Sequence, residues 1–275
     1  MIIRKGYSDG PQGQVHWRMA DPGGAHSQPD LYCFSPAPFS SIAYANILPH
    51  LAQNRRVIAP DYPGQGGSDG DKTRPSVEDY AASMLAVIDD LSEQSDVQVT
   101  GFHSGCLVAV EVALQRASAV KQLVLVDVPA FDPDTRAKYL PVVGAPFEAS
   151  TDLESLRKVW DMAVTNRSSI QPIEQCLALF ADTAGNGPRM NATFHAAFTY
   201  DVESKFDALQ TPATILATKS MLLDPSRRAA QLISNCTLVE LLDIQRSVLD
   251  ESAATTAAQI TTALQSSDRQ NPSSS

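Results

Sequence analysis

Apolar positions switch between two spacings along this chain, and the switches mark its elements. Residues 2–4 and 15–19 read as strands of an opening hairpin around a Gly/Pro-rich turn, and 31–34 as a short strand. A helix is expected near 42–52, then a strand over 56–59 that Pro60 ends. From Val77 onward Tyr80, Ala81, Met84, Leu85, Ile88 and Leu91 recur at helical spacing, and Ser76 with Asp79 three residues on makes a capping box. Residues 97–100 follow as a strand, 105 to about 116 as a helix, and 123–127 as a strand whose unbroken VLV suits burial on both faces. Strand, helix, strand in that order predicts a parallel sheet with helices on both sides.

Residues 130 to about 207 break this alternation. Helices are expected near 151–164, 173–181 and 191–198, joined by Pro/Gly segments, with no strand pattern. The alternation then resumes with a strand over 213–217, a helix over 226–233, a strand over 237–242 and a helix over 251–264. The expected organisation is a core in two parts, 1–129 and 208–265, with a helical lid over 130–207. The tail SSDRQNPSSS, 266–275, lacks apolar residues and is expected to be disordered.

Composition narrows the function classes. At 275 residues and 43% hydrophobic the chain can bury a full core. Its 31 acidic against 21 basic side chains give a net charge of -10, which disfavours nucleic acid and anionic membrane surfaces as partners. No stretch approaches the roughly 18 apolar residues of a membrane span, and MIIRKGYSDG has too short an apolar run for a secretory signal, so a cytoplasmic protein is expected. Cys33, Cys106, Cys176 and Cys236 lie far apart among apolar neighbours and read as reduced core thiols. The turn PGQGG at 63–67 has no phosphate-binding spacing, and neither a metal-ligand cluster nor a dinucleotide fingerprint is visible, so no cofactor is expected.

The segment VQVTGFHSGCLVAVEVA combines a strand, the turn Gly101-Phe102-His103-Ser104-Gly105 and a helix. It resembles the G-x-S-x-G nucleophile elbow of the α/β-hydrolase superfamily, in which the flanking glycines let strand and helix pack closely around a strained central residue. VIAPDYPGQGGSD at 57–69 resembles the superfamily's loop after the fourth strand, and LYCFSPAPFSS at 31–41 occupies its oxyanion-loop position. The resemblance covers about residues 1–130 and 207–265. It implies an α/β-hydrolase fold, a mostly parallel central sheet with helices on both faces and a helical lid inserted after the sixth strand.

The chain departs from this pattern at the positions that matter for chemistry. The apex holds His103 where relatives place Ser, Cys or Asp. Sliding the frame to Ser104 would put Phe102 and Cys106 where small residues must be. Ser104 then starts the helix, offering its N–H to an oxyanion while local backbone is expected to satisfy its hydroxyl, and Ala37 of the oxyanion loop is the second such position. The superfamily's general base is a His after the last strand, but the histidines are 16, 26, 50, 103 and 195, and Arg246 falls in that slot. A Ser-His-Asp triad cannot be assembled. The chain resembles a bacterial branch with G-x-H-x-G at the elbow.

Four side chains remain as candidates for chemistry or substrate binding. His103 is the candidate base. Asp127 ends the sixth strand, where relatives such as the haloalkane dehalogenases place their acid, and a carboxylate there would orient an imidazole; a loop anchor is the competing role. His195, between Phe194 and Phe198, either faces the pocket or packs within the lid. Arg246 suits a substrate carboxylate or sits on the surface beside Asp243 or Asp250. The leading expectation is a small-molecule hydrolase or lyase working by general-base chemistry from His103. The alternatives are an inactive ligand-binding or scaffold protein on a degenerate hydrolase fold, and a cofactor-free isomerase or oxygenase.

Overall fold

Eight strands lie in the order β1-β2-β4-β3-β5-β6-β7-β8 in a computed structural model that describes residues 1–266 except 27, 93, 95, 149, 168–170 and 246. β1 (Ile2–Gly10) and β2 (Gly13–Asp21) form the hairpin, and β2 runs antiparallel to β4 (Val57–Pro60). β3 (Asp30–Phe34), β4, β5 (Val97–Phe102), β6 (Val120–Val126), β7 (Ala213–Thr218) and β8 (Cys236–Leu241) are parallel. Every residue of β3 is buried and β6 exposes only Lys121, as strands covered on both faces require.

Alternate strand residues feed two cores. Tyr32, Phe34, Leu123 and Leu125 pack on one face against α2 (Val77–Leu91) and α3 (Gly105–Gln115). Leu31, Cys33, Val124 and Val126 pack on the other against α1 (Leu48–Leu51) and α10 (Ala253–Ser266). The capping box at Ser76 and Asp79 is present with both reciprocal bonds. The helix expected over 42–52 is instead a 3-10 turn, Ser41–Tyr44, followed by the short α1, which Pro49 starts.

Between β6 and β7 the described residues form helices and no strand. They are α4 (Pro133–Val143), a 3-10 turn at Leu153–Leu156, α5 (Arg157–Trp160), a π turn at Asp161–Thr165, α6 (Ile173–Gly185), a 3-10 turn at Gly187–Arg189, α7 (Ala192–Thr199) and α8 (Val202–Asp207). α4 buries none of its residues, so apolar spacing could not reveal it; Asp132, whose carboxylate accepts the Thr135 N–H, and Pro133 fix its start. The tail, beyond Ser266, lies outside the described residues.

Several polar locks tie this insert to the core, Arg167 to Asp250 and Lys205 to Glu111 among them. Asn186 donates to Gln65 Oε1 at 2.6 Å and accepts the Gly66 N–H at 2.9 Å, while Gln65 Nε2 donates to the Arg189 carbonyl at 2.9 Å. The glycine-rich turn at 63–67 is therefore a seat for the insert. At the other end Glu203 of α8 binds Arg136 of α4 and Arg228 of α9 (Leu223–Leu232), each at 2.7 Å. These two guanidinium hydrogen-bond partners outweigh desolvation, the largest opposing effect, and hold the Glu203 carboxyl down at about 2.

The order of strands also places a crevice. From β3 the chain moves to β4 on one side and then crosses to β5 on the other, so connections leave the carboxyl ends of β3 and β5 in opposite directions. Open α/β sheets bind their ligands at such a switch point.

Candidate active site

At this crevice β5 ends at Phe102 and α3 begins at Gly105, leaving His103 and Ser104 to make the turn. His103 has φ of 51°, in the left-handed region, whereas Ser104 at φ -58° and ψ -24° is already helical. A Cβ at Gly101 would strike the Gly105 carbonyl and the Cys106 amide nitrogen, and one at Gly105 would strike the Phe34 carbonyl. Backbone atoms cannot swing aside as a side chain can. The glycines are thus required at 101 and 105, which makes His103 the apex and excludes the frame centred on Ser104. Beneath the turn the Cys106 thiol donates to the Gly101 and Val126 carbonyls at 3.3 Å, and burial pushes its pKa well up, so it is held as an inert thiol.

The His103 ring lies against Phe102, with centroids 4.0 Å apart. Desolvation by the surrounding protein pushes its pKa down, to about 4, although 40% of the side chain is open to the crevice. The imidazole is therefore neutral at pH 7. His103 Nε2 lies 4.0 Å from Asp127 Oδ2, beyond hydrogen-bond reach. The pair therefore makes no direct bond, and each Asp127 oxygen has a nearer donor. These oxygens accept the N–H and the hydroxyl of Thr218, both at 2.7 Å, tying the ends of β6 and β7. Asp127 is itself at φ 52° and fully buried, and desolvation raises its pKa against the opposing hydrogen bonds from Thr218 and Ser220.

The two expected oxyanion positions meet each other. The Ala37 N–H donates to Ser104 Oγ at 2.6 Å, so the hydroxyl takes up one of the amides that would face an oxyanion. Ser104 makes no capping bond on its own helix; its partner comes from the loop after β3, 67 residues away. His195 lies on the side of α7 opposite Thr193, Ala196 and Ala197, and burial and Arg74 lower its pKa. Among the described residues no hydrogen bond or ion pair joins the His195 side chain to His103 or Asp127. Arg246 lies outside the described residues, while its neighbour Ser247, at φ 54°, is the third non-glycine residue with positive φ among those described.

Three features of this region escaped the sequence reading. Thr218 gave no signal, since a threonine ending a strand is ordinary. The buried pair of His16 Nδ1 and Asp61 Oδ2, 2.8 Å apart, was within reach: the β2–β4 register, with Trp17 opposite Pro60, carries His16 onto Asp61. Asp61 also accepts the Ser41 and Gly67 N–H groups, fixing the loops on either side of the crevice. The third is a pair of hydroxyls, Tyr80 and Thr193, buried beside Ser104. Among the described residues no group of three or more His, Cys, Asp or Glu side chains could hold a metal ion, and no helix is long and apolar enough to cross a membrane.

With this geometry established, three comparisons bear on it. A family model of the alpha/beta hydrolase fold matches residues 24–146. The chain is 27% identical to "Putative carbamate hydrolase RutD" of Pseudomonas savastanoi pv. phaseolicola over 248 residues, 77% of this chain and 88% of that protein. Among solved structures it is similar to the enol-lactonase from Burkholderia xenovorans LB400, with a TM-score of 0.75, 18% identity and coverage of 94% of this chain and all of that one. It is also similar to the epoxide hydrolase VrEH1 from Vigna radiata, with a TM-score of 0.76, 13% identity and coverage of 96% and 98%. These structural likenesses establish the α/β-hydrolase fold.

Proposed function

We propose, for a chain with the α/β-hydrolase fold, that it is a small-molecule hydrolase or lyase whose base is the neutral imidazole of His103 in place of a serine nucleophile. The carrying observation is the positive φ of His103 at the apex of the strand-to-helix turn, a strained position in the crevice filled by a titratable side chain. In this reading Nε2–H faces Asp127 and Nδ1 carries the accepting lone pair. For hydrolysis Nδ1 takes a proton from water as the water oxygen bonds to the substrate's carbonyl carbon. The bond to the leaving group then breaks, and the imidazolium returns the proton to it. For a lyase the same nitrogen takes a carbon-bound proton, the freed electron pair forms a double bond as the bond to the neighbouring leaving group breaks, and the imidazolium returns the proton to that group. Asp127, 4.0 Å away, is the charge that favours the transient imidazolium. The insert over 130–207 acts as a lid on this site.

The hydrolase half of the proposal draws on similarity to a protein named for carbamate hydrolysis. Carbamates and lactones are accordingly the first substrates to try. The test is turnover of a carbamate, an enol-lactone, an aryl ester and an epoxide by wild type and His103→Ala, with protein mass recorded during turnover. We expect His103→Ala to lose on the order of a hundredfold or more in rate, with no covalent adduct in the wild type. Undiminished turnover by His103→Ala would overturn the proposal. The second reading, a ligand-binding protein without turnover, is favoured by the commitment of both Asp127 oxygens to Thr218. No turnover of any compound that binds would select it.

A further inference from the structure

One residue past the apex, a half-enclosed cavity lies between α2, α3 and the insert's α7. It has about 10 Å³ of room for the centre of a water molecule, which is the space one water needs. Val77, Val108 and two alanines of α7 line it with the hydroxyl-bearing Tyr80, Ser104 and Thr193, and with Tyr62, whose own hydroxyl donates to the Ser35 carbonyl. The Tyr80 and Thr193 side chains are 1% and 3% exposed, and neither hydroxyl oxygen has a hydrogen-bond partner among the described residues. Buried hydroxyls are rarely left unpaired, and two around one small cavity point to an occupant that bonds to both.

We propose that this cavity binds a single uncharged oxygen, that of a water in the free protein and that of a hydroxyl group when a ligand enters the crevice. Ser104 Oγ already accepts the Ala37 N–H, so its own O–H is left to donate to the occupant. The Tyr80 phenol, pushed up by burial, stays protonated and can donate or accept, as can Thr193. No charged side chain lines the cavity, so an ion would lose its hydration without compensation and a neutral group is selected. Because Ser104 adjoins His103, an oxygen seated here directs the rest of its molecule towards the apex. The occupant would also bridge the insert to the core through Thr193 and Tyr80. None of this depends on the chemistry proposed for His103.

The test is the occupancy of the cavity in crystals of the whole protein, examined as grown, after a methanol soak and under xenon. We expect one ordered water within hydrogen-bond distance of the Tyr80 and Thr193 oxygens, replaced by the methanol oxygen on soaking, with xenon excluded. The double variant Tyr80→Phe, Thr193→Val should lose the water and admit xenon, and each single variant should lose one contact if the double does not fold. An empty or xenon-filled cavity in the wild type would overturn the site itself. A water that methanol does not displace would overturn its role in ligand binding. Because the readout is occupancy, a protein without turnover tests the site equally well.

Discussion

Thr218 stands between Asp127 and His103 in the chemical sense: its hydroxyl donates to the Asp127 Oδ2 that lies 4.0 Å from His103 Nε2. The hydroxyl reaches that oxygen at 2.7 Å, while the imidazole nitrogen stays outside bonding distance. Thr218→Val keeps the shape of the side chain and removes that donor, leaving a buried carboxylate oxygen in need of one. We expect Oδ2 to turn to His103 and the imidazole pKa to rise, read from the His103 ring proton by NMR titration. Thr218→Ser should keep the wild-type value. An unmoved pKa in a folded Thr218→Val protein would show that the hydroxyl does not set the balance.

The depressed pKa of His103 also makes stability depend on pH. An unfolded imidazole takes up its proton near 6.5, whereas the folded one resists until about 4, so within this window the unfolded chain binds more protons. This contribution is therefore absent above 6.5 and destabilises progressively as pH falls towards 4. Urea melts of wild type and His103→Gln across that window should differ in slope, with the variant losing less stability on acidification.

Backbone strain at the apex gives a separate readout. A non-glycine residue in the left-handed region costs roughly 1 kcal/mol or more relative to glycine, and His103 is held there. His103→Gly should therefore be about 1 kcal/mol more stable than His103→Ala, as measured by chemical denaturation. Equal stabilities would mean that the turn relaxes once the imidazole is gone.

Serine-directed reagents give a contrasting outcome. Ser104 Oγ is engaged by the Ala37 N–H and sits outside the apex, so a fluorophosphonate should leave it unlabelled under conditions that saturate an ordinary serine hydrolase. Mass spectrometry of the intact protein checks this, and stoichiometric labelling at Ser104 would contradict the frame described above.

At the base of the insert, Glu203→Gln should cost about 1–2 kcal/mol, since the two arginine partners are kept while the charge is lost and the site is partly open to solvent. The wild-type carboxyl has its pKa lowered from 4.5 to about 2, so its contribution is full above 4.5 and is lost as pH falls towards 2. Acid unfolding of the variant should lack that component.

What could be read from the sequence was local or periodic. The capping box at Ser76, the buried VLV strand and the glycine spacing around His103 each concern residues a few positions apart, and each stands in the structure. α4 was missed because it buries no residue. The contacts that define the site join distant segments: Ala37 to Ser104, and Asp127 to Thr218 across 91 positions. Only the fold brings these together, and neither side chain of such a pair announces its partner. His195 and Asp127 show the limit most clearly, since residue type and neighbourhood made both candidates while only the geometry separates a helix-face histidine near Arg74 from a carboxylate beside the apex.

The glycines at 101 and 105 have one more consequence, for how such a protein can change its chemistry. Their contacts are with main-chain atoms, so the shape of the turn is set without reference to the side chain at 103, which projects partly into open space. The apex therefore behaves as a socket. Ser, Cys or Asp could be exchanged for His103 with little repacking, and a lineage could swap reaction types by a single substitution while its scaffold stays under unchanged constraint. The neighbours would then be the slow part: a serine installed there would find Asp127 bonded to Thr218 and the Ala37 amide taken by Ser104. Changing the reactive atom is easy in such a turn, and re-aiming its partners is where the evolutionary work lies.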